Sequence, residues 1–298
     1  MFKITDYEIN SINNKPNDLI PKYIKYTNVE KLWELGYKGE DIKIGIIDTG
    51  IADHVCLTPK VIKGKNFTNE GSVDDFRDLN GHGTNVASII GACPDGIHDG
   101  IYGIAPNCGL YIAKCLTKSG NGDIGWISNA LRWLIEENVD LINMSLGSFE
   151  YSKEIDELIE LAIDKDILCV VAAGNEGDFN SNTNEKSYPA YLNNSIAVGA
   201  IDTDNTVTKF SNSNDEIDCV APGYNIVGCY LNNKFASTSG TSQSAPCVSG
   251  FLALLKQKFI AERNRKPSEM ELYAHLIKHC KDIGLDFKFQ GEGAICYE

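Results

Sequence analysis

The chain has 298 residues, 43% of them hydrophobic and 23% charged, which is typical of a globular protein with a full core. Its formal net charge of −14 argues against a nucleic-acid partner, because such a surface repels phosphates. No apolar run is long enough to span a bilayer, and the N-terminus lacks a secretory signal pattern, which excludes a membrane protein. The 10 cysteines are scattered without a CxxC pair, a distribution that predicts no structural zinc and favours a reducing cytoplasm.

Strand-like and helix-like segments alternate along the chain, and no internal repeat or linker interrupts them. This alternation predicts one three-layer α/β domain with a mostly parallel sheet and helices on both faces. Strands are predicted at 44–48, 109–116, 141–147, 168–174 and 195–201, with a hairpin near 230–235. Helices are predicted at 29–35, 82–92 and 126–137, after the caps Ser152 and Ser268, and from about residue 242.

Three of these segments carry residues of one chemical scheme. Asp48 ends a buried strand, His82 lies between glycines before a helix, and Ser242 lies near a helix start with Pro246 expected in its first turn. A serine in this place is most often a helix cap. A serine nucleophile, however, needs a neighbouring base, and that base needs a carboxylate. The chain order Asp, His, Ser is the one known from subtilisin.

With these motifs the chain resembles the subtilisin-like serine proteases from about residue 21 to 293. It is most similar to the intracellular subtilisins of Gram-positive bacteria, through the stretches 64–67, 210–214 and 291–293. The resemblance implies a serine endopeptidase that forms an acyl-enzyme. Its site residues are then, by motif, the triad Asp48, His82 and Ser242, with Asn175 and the Ser242 backbone N–H as oxyanion donors.

The resemblance also implies where a polypeptide substrate binds. Extended substrate is expected between two chain segments, Gly120, Asn121 and Gly122 on one side and Ser145, Leu146 and Gly147 on the other. Small residues are expected to form the wall of the pocket for the side chain before the scissile bond, namely Ala172, Ala173 and Gly174. The family's usual Met, Ala and His after the nucleophile are replaced by Gln243, Ser244 and Cys247, which leaves substrate preference open.

Residues 1–20 are polar and without a strong period, so a disordered tail is one interpretation. The resemblance implies another, an N-terminal extension that covers the active site of the peptidase domain, 21–298. The family signature there is Leu-Ile-Pro-Tyr, and this chain has Ile4-Thr5-Asp6-Tyr7, which lacks the proline. Inhibition by residues 1–20 therefore stays a hypothesis.

Metal sites are predicted with less support from the sequence. Subtilases bind calcium in a loop that corresponds to residues 93–101, where Asp95 and Asp99 offer oxygens, although an ordinary polar turn is the alternative. Asp53 is a further candidate from the loop after the Asp48 strand. His54, and the pair His275 and His279, are interpreted as surface groups.

The sequence thus predicts a cytoplasmic endopeptidase that acts on polypeptides, with a homodimer as an open expectation. Two alternatives remain. One is a processing protease dedicated to a single peptide or protein. The other is a non-catalytic subtilase that binds or regulates another protease, which the intact triad disfavours.

Overall fold

A computed structural model of the chain describes residues 1–4 and 7–298. Thr5 and Asp6, the middle of the segment compared with the Leu-Ile-Pro-Tyr signature, lie outside the described residues. The strands are β1 (Phe2–Lys3), β2 (Glu8–Asn13), β3 (Lys43–Asp48), β4 (Val61–Asn66), β5 (Gly109–Lys114), β6 (Asn121–Gly122), β7 (Leu141–Met144), β8 (Leu168–Ala172), β9 (Ile196–Ile201), β10 (Ile217–Pro222), β11 (Ile226–Tyr230), β12 (Lys234–Ser239), β13 (Cys280–Lys281) and β14 (Ala294–Ile295). The helices are α1 (Lys22–Thr27), α2 (Glu30–Glu34), α3 (His82–Gly91), α4 (Ile124–Glu136), α5 (Lys153–Ile163), α6 (Thr241–Arg263), α7 (Glu269–Lys278) and α8 (Phe287–Gln290).

A nine-stranded sheet forms the centre, in the order β13-β14-β10-β9-β8-β7-β3-β5-β4. The pairs from β10 to β4 are parallel, and β13 joins β14 antiparallel at one edge. The predicted mostly parallel sheet is therefore confirmed. Because parallel strands end at the same edge, the C-termini of β3, β7 and β8 lie side by side, and the residues after them share one surface.

The central strands are apolar on both faces, as expected for a sheet covered on both sides. In β3, Ile44 and Ile46 belong to one hydrophobic cluster and Ile47 to another, because successive side chains point to opposite faces. Helices α3 and α6 contribute to the first cluster, and α4 and α5 to the second. The result is the predicted three-layer α/β domain.

The predicted helix caps are present, but one helix position was wrong. Ser152 caps α5, and Ser268 with Glu271 forms the capping box of α7. Helix α6 begins at Thr241, so Pro246 lies in its second turn and not in the first. The predicted start near residue 242 is close to the observed one, and the error concerns only Pro246, which was taken as a residue of the first turn.

Two smaller sheets connect the N-terminal segment to the domain. Strand β1 pairs antiparallel with β6, and β2 pairs antiparallel with β12 of the β11–β12 hairpin. Residues 1–4 and 7–20 are therefore attached to the domain surface over much of their length, contrary to the interpretation as a disordered tail.

Candidate active site

Asp48 and His82 form a buried pair at the carboxyl edge of the sheet. Asp48 is the last residue of β3, and His82 is the first residue of α3. His82 Nδ1 lies 2.8 Å from Asp48 Oδ1, and the two side chains are 0% and 1% exposed. Because Nδ1 faces a carboxylate, it carries the imidazole proton, and Nε2 presents a lone pair. Among residues 1–4 and 7–298, no hydrogen-bond partner of Nε2 is found. This is the tautomer that a general base requires.

The loop before His82 is held by a buried carboxylate that the sequence reasoning missed. Asp78 accepts hydrogen bonds from the backbone N–H groups of Asn80, Gly81 and Thr84, at 2.8–3.0 Å. Its Oδ1 also accepts from Thr49 Oγ1, at 2.9 Å, directly after the Asp48 strand. Aspartates that accept hydrogen bonds from nearby backbone N–H groups are typical of tight loops. The sequence from Asp78 to Gly81 could therefore have indicated this role of Asp78.

Ser242 and Ser145 are joined by two reciprocal hydrogen bonds. Ser145 Oγ donates to the Ser242 carbonyl at 2.9 Å, and Ser242 Oγ donates to the Ser145 carbonyl at 3.3 Å. In an α-helix the Ser242 carbonyl accepts from the N–H of residue 246, but Pro246 has none. The Ser145 hydroxyl therefore supplies the donor that the proline removes.

The starts of α3 and α6 lie against each other. Gln243 Nε2, next to Ser242, donates to Asn85 Oδ1 at 3.3 Å, and Asn85 lies one turn after His82. This bond joins the first turns of the two helices, which carry His82 and Ser242.

Asn175 is oriented by the residue before Ser242. Its Oδ1 accepts from the Thr241 N–H at 2.8 Å and from Thr241 Oγ1 at 2.9 Å. An N–H can only donate, so the atom it meets must be the amide oxygen, and Nδ2 faces the other way. Nδ2 lies 3.1 Å from the position that a Cβ on Gly240 would occupy. The donor end of the amide is therefore directed towards the chain just before the serine.

The two predicted substrate edges bind a strand, and that strand is the chain's own N-terminus. Phe2 and Lys3 pair antiparallel with Gly122 and Asn121, and Ile4 N–H donates to the Gly120 carbonyl at 2.9 Å. On the other side, the N–H groups of Lys3 and Gly147 donate to each other's carbonyls at 3.0 and 2.9 Å. Ser145 and Leu146 are buried beside this strand, with Ser145 on the Ser242 side.

The small residues after β8 are buried, and no contact of the described residues tests their role in a pocket. Ala172 and Ala173 belong to the two opposite hydrophobic clusters. Gly174 N–H donates to Thr241 Oγ1 at 3.1 Å, which ties this turn to the start of α6. The pocket wall formed by Ala172, Ala173 and Gly174 stays a prediction.

The contacts of Asp95 and Asp99 do not favour calcium. Asp95 accepts from the N–H groups of Ile97 and His98 and from the His98 ring, and these bonds, the His98 N–H first, lower the pKa of its carboxyl. Asp99 pairs with Lys15 at 2.9 Å. Within the described part of the chain, neither belongs to a group of three or more His, Cys, Asp or Glu ligand atoms. A calcium site at Asp95 and Asp99 stays a prediction.

Three histidines interpreted as surface groups are buried to differing degrees. The interpretation is wrong for His54, which is 1% exposed and whose ring centroid lies 5.1 Å from that of Phe235 in an edge-on contact. His275 and His279 are partly buried, and their rings contact Phe259 and Tyr297. The sequence could not show these aromatic contacts, because the partners are distant in the chain.

Comparison with known proteins identifies the family. The model of the subtilase family matches residues 39–290, and the chain belongs to this family of serine proteases. The chain is 40% identical to an intracellular serine protease of Paenibacillus polymyxa, over 98% of this chain and 89% of that protein. It is also 40% identical to the major intracellular serine protease of Bacillus subtilis, over 97% of this chain and 90% of that protein.

Another relative matches a smaller part of the chain. Subtilisin DY of Bacillus licheniformis is 38% identical over 80% of this chain and 85% of that protein. The resemblance to the intracellular subtilisins, including most of the N-terminal segment, is thus confirmed. Within the described residues, we find no helix that combines the length and the apolar character needed to cross a membrane.

Proposed function

We propose that Ser242 is the nucleophile of a serine endopeptidase, with His82 as its base and Asp48 as the residue that orients and stabilises the imidazolium. Ser242 Oγ attacks the peptide carbonyl, and its proton passes to His82 Nε2. The proton then goes to the leaving amine, and water hydrolyses the acyl-enzyme by the same route. The observation that carries the proposal is the fully buried 2.8 Å contact of His82 Nδ1 with Asp48.

Asn175 Nδ2 and the Ser242 N–H are proposed as the donors that stabilise the oxyanion. Support comes from the Thr241 bonds, which fix the amide so that its donor end faces Gly240. A donor fixed before the reaction needs no reorganisation when charge develops on the carbonyl oxygen. Substrate is proposed to bind as an antiparallel strand between residues 120–122 and 145–147, as residues 2–4 do.

Hydrolysis of an unstructured protein such as casein tests this proposal. We expect proteolysis by the chain without residues 1–20 and none by the same chain with Ser242→Ala. Endopeptidase products should be internal fragments by mass spectrometry. Casein hydrolysis that persists in Ser242→Ala would exclude Ser242 as the nucleophile. The absence of casein hydrolysis by the chain without residues 1–20 would also contradict the proposal.

We also propose that residues 1–20 inhibit the enzyme by occupying its substrate cleft. Residues 2–4 lie between both substrate edges, and β2 lies along β12, the strand that leads to Ser242. Between them, the Tyr7 ring meets the His82 ring edge-on with centroids 4.8 Å apart. A tethered segment of this kind competes at an effective concentration near the millimolar range.

A matched pair of isoleucines separates inhibition from a general effect on folding. Ile4 is 9% exposed and its Cδ1 lies 2.6 Å from where a Gly120 Cβ would be, whereas Ile12 in β2 is 46% exposed. Ile4→Ala should raise the initial rate of peptide hydrolysis by about tenfold or more, because it removes buried contacts of the extension only. Ile12→Ala should leave the rate unchanged, and equal effects of both variants would contradict the proposal.

The cellular setting is proposed from the relatives. Two of them are named intracellular proteases, which supports a cytoplasmic location with polypeptide substrates. Subtilases commonly bind calcium, and a calcium requirement of this chain remains a proposal without a located site. A homodimer, and a role as a processing protease for one substrate, are likewise untested expectations.

A further inference from the structure

The fold collects three metal-ligand side chains at a place that the proposed chemistry does not use. His54 and Cys56 lie in the loop after β3, and Cys229 lies in β11. Their ligand atoms all lie within 4.8 Å of one another, and the three residues are at most 1% exposed. We call this group the His54 cluster. Within the described part of the chain, it is the one such group of three or more.

The imidazole of the cluster is oriented as in many metal sites. His54 Nε2 lies 3.2 Å from the carbonyl oxygen of Lys234, which can only accept, so Nε2 carries the proton. Nδ1 then presents its lone pair on the side of Cys56, whose backbone N–H lies 3.2 Å away. A metal-binding histidine usually donates its other ring N–H to a carbonyl or carboxylate, which fixes the ring. An ion at Nδ1 would replace the 3.2 Å bond from the Cys56 N–H.

We propose that the His54 cluster binds one zinc ion through Nδ1 of His54 and the sulfur atoms of Cys56 and Cys229. Thiolate and imidazole are the ligands that zinc prefers, and three protein ligands leave one tetrahedral position for water. The sequence predicted no zinc site, since Cys56 and Cys229 are far apart in the chain and form no CxxC pair. This inference does not depend on the proposed proteolytic function.

The ion would join two segments that each connect along the chain to a triad residue. The loop with His54 and Cys56 follows the strand that ends in Asp48. Strand β11 pairs with β12, which leads to Ser242 and carries the N-terminal strand β2. A zinc bridge between them stabilises the native chain, because an ion that binds only the folded state shifts the folding equilibrium.

Zinc binding to the full chain with Ser242→Ala, kept reduced with a phosphine, tests the proposal without autolysis. After dialysis against ZnCl2, we expect about one zinc per chain and a rise in melting temperature on the order of 5 °C at 100-fold excess over Kd. X-ray absorption should show two sulfur ligands at about 2.3 Å and one nitrogen at about 2.0–2.1 Å.

Matched cysteine variants decide where the ion binds. Cys229→Ser and Cys56→Ser should each lose the bound zinc, whereas Cys280→Ser should retain it, although Cys280 is itself close to another buried thiol, Cys219. The proposal would be overturned if the full chain bound less than about one zinc ion. It would also be overturned if Cys280→Ser lost its zinc as Cys229→Ser does, or if Cys229→Ser retained its zinc. The X-ray absorption spectrum of the chain with all its cysteines tests the proposal even where a cysteine variant fails to fold. A zinc ion bound mainly by oxygen atoms would overturn the proposal.

Discussion

Removal of the Ser145 hydroxyl should destabilise the protein through the Ser242 carbonyl. In Ser145→Ala that buried carbonyl loses its donor at 2.9 Å, and Pro246 cannot replace it. A buried acceptor left unpaired costs about 1–3 kcal/mol. Pro246→Ala restores a backbone N–H at the position from which residue 242 normally receives its helical hydrogen bond. Ser145→Ala should therefore cost less in the Pro246→Ala background.

The assay is a double-mutant cycle by urea unfolding, with Ser242→Ala in all four chains to prevent autolysis. We expect a coupling free energy of at least about 1 kcal/mol between the two substitutions. Ser244→Ala is the matched control, because Ser244 lies on the same helix and its Oγ donates to the Ala221 carbonyl at 3.0 Å. Equal costs of Ser145→Ala in both backgrounds would refute the reasoning.

Three further predictions concern Asn175, Asp218 and Gly83. Asn175→Ala should lower kcat by about 10²–10³, the loss known for the matching asparagine of subtilisin, with a smaller change in KM; an unchanged kcat on a peptide substrate would exclude the oxyanion role. Burial, and then Glu216 and Glu292, raise the pKa of Asp218 from 3.8 to about 6 against its hydrogen bonds. The folded state thus binds more protons between these values, so the free energy of unfolding should fall by on the order of 2 kcal/mol as pH rises through this window, and Asp218→Asn should flatten the urea-unfolding profile there. In Gly83→Ala the new Cβ would lie 2.3 Å from the Gly50 carbonyl oxygen, so we expect a loss of several kcal/mol of stability, and a melting temperature equal to the parent's would contradict this.

Local sequence patterns were sufficient for the strands and the motif residues. The apolar run that ends in Asp48 and the glycines around His82 define a strand end and a helix start, and both occur where predicted. Alternation of strands and helices predicted the parallel sheet, because short connections allow few other arrangements.

Contacts between distant segments could not be predicted. Cys56, Cys229 and His54 meet only because the β11–β12 hairpin folds over the loop after β3. The polar N-terminal residues show no strand period, yet they form strands where the open edges of β6 and β12 accept their backbone. Pro246 was assigned to the first turn because the local sequence does not show the Ser145 hydroxyl, which replaces the missing N–H of a proline in the second turn. Ser145 is far from Pro246 in the chain.

Intact mass after exposure to a fluorophosphonate tests the central claim most directly. We expect a single adduct that forms slowly on the full chain and rapidly on the chain without residues 1–20. Ser242→Ala should form none. The slow and fast rates follow from the strand of residues 2–4 in the cleft. An adduct that persists in Ser242→Ala, or no adduct on the chain without residues 1–20, would contradict the assignment of Ser242 as an activated nucleophile.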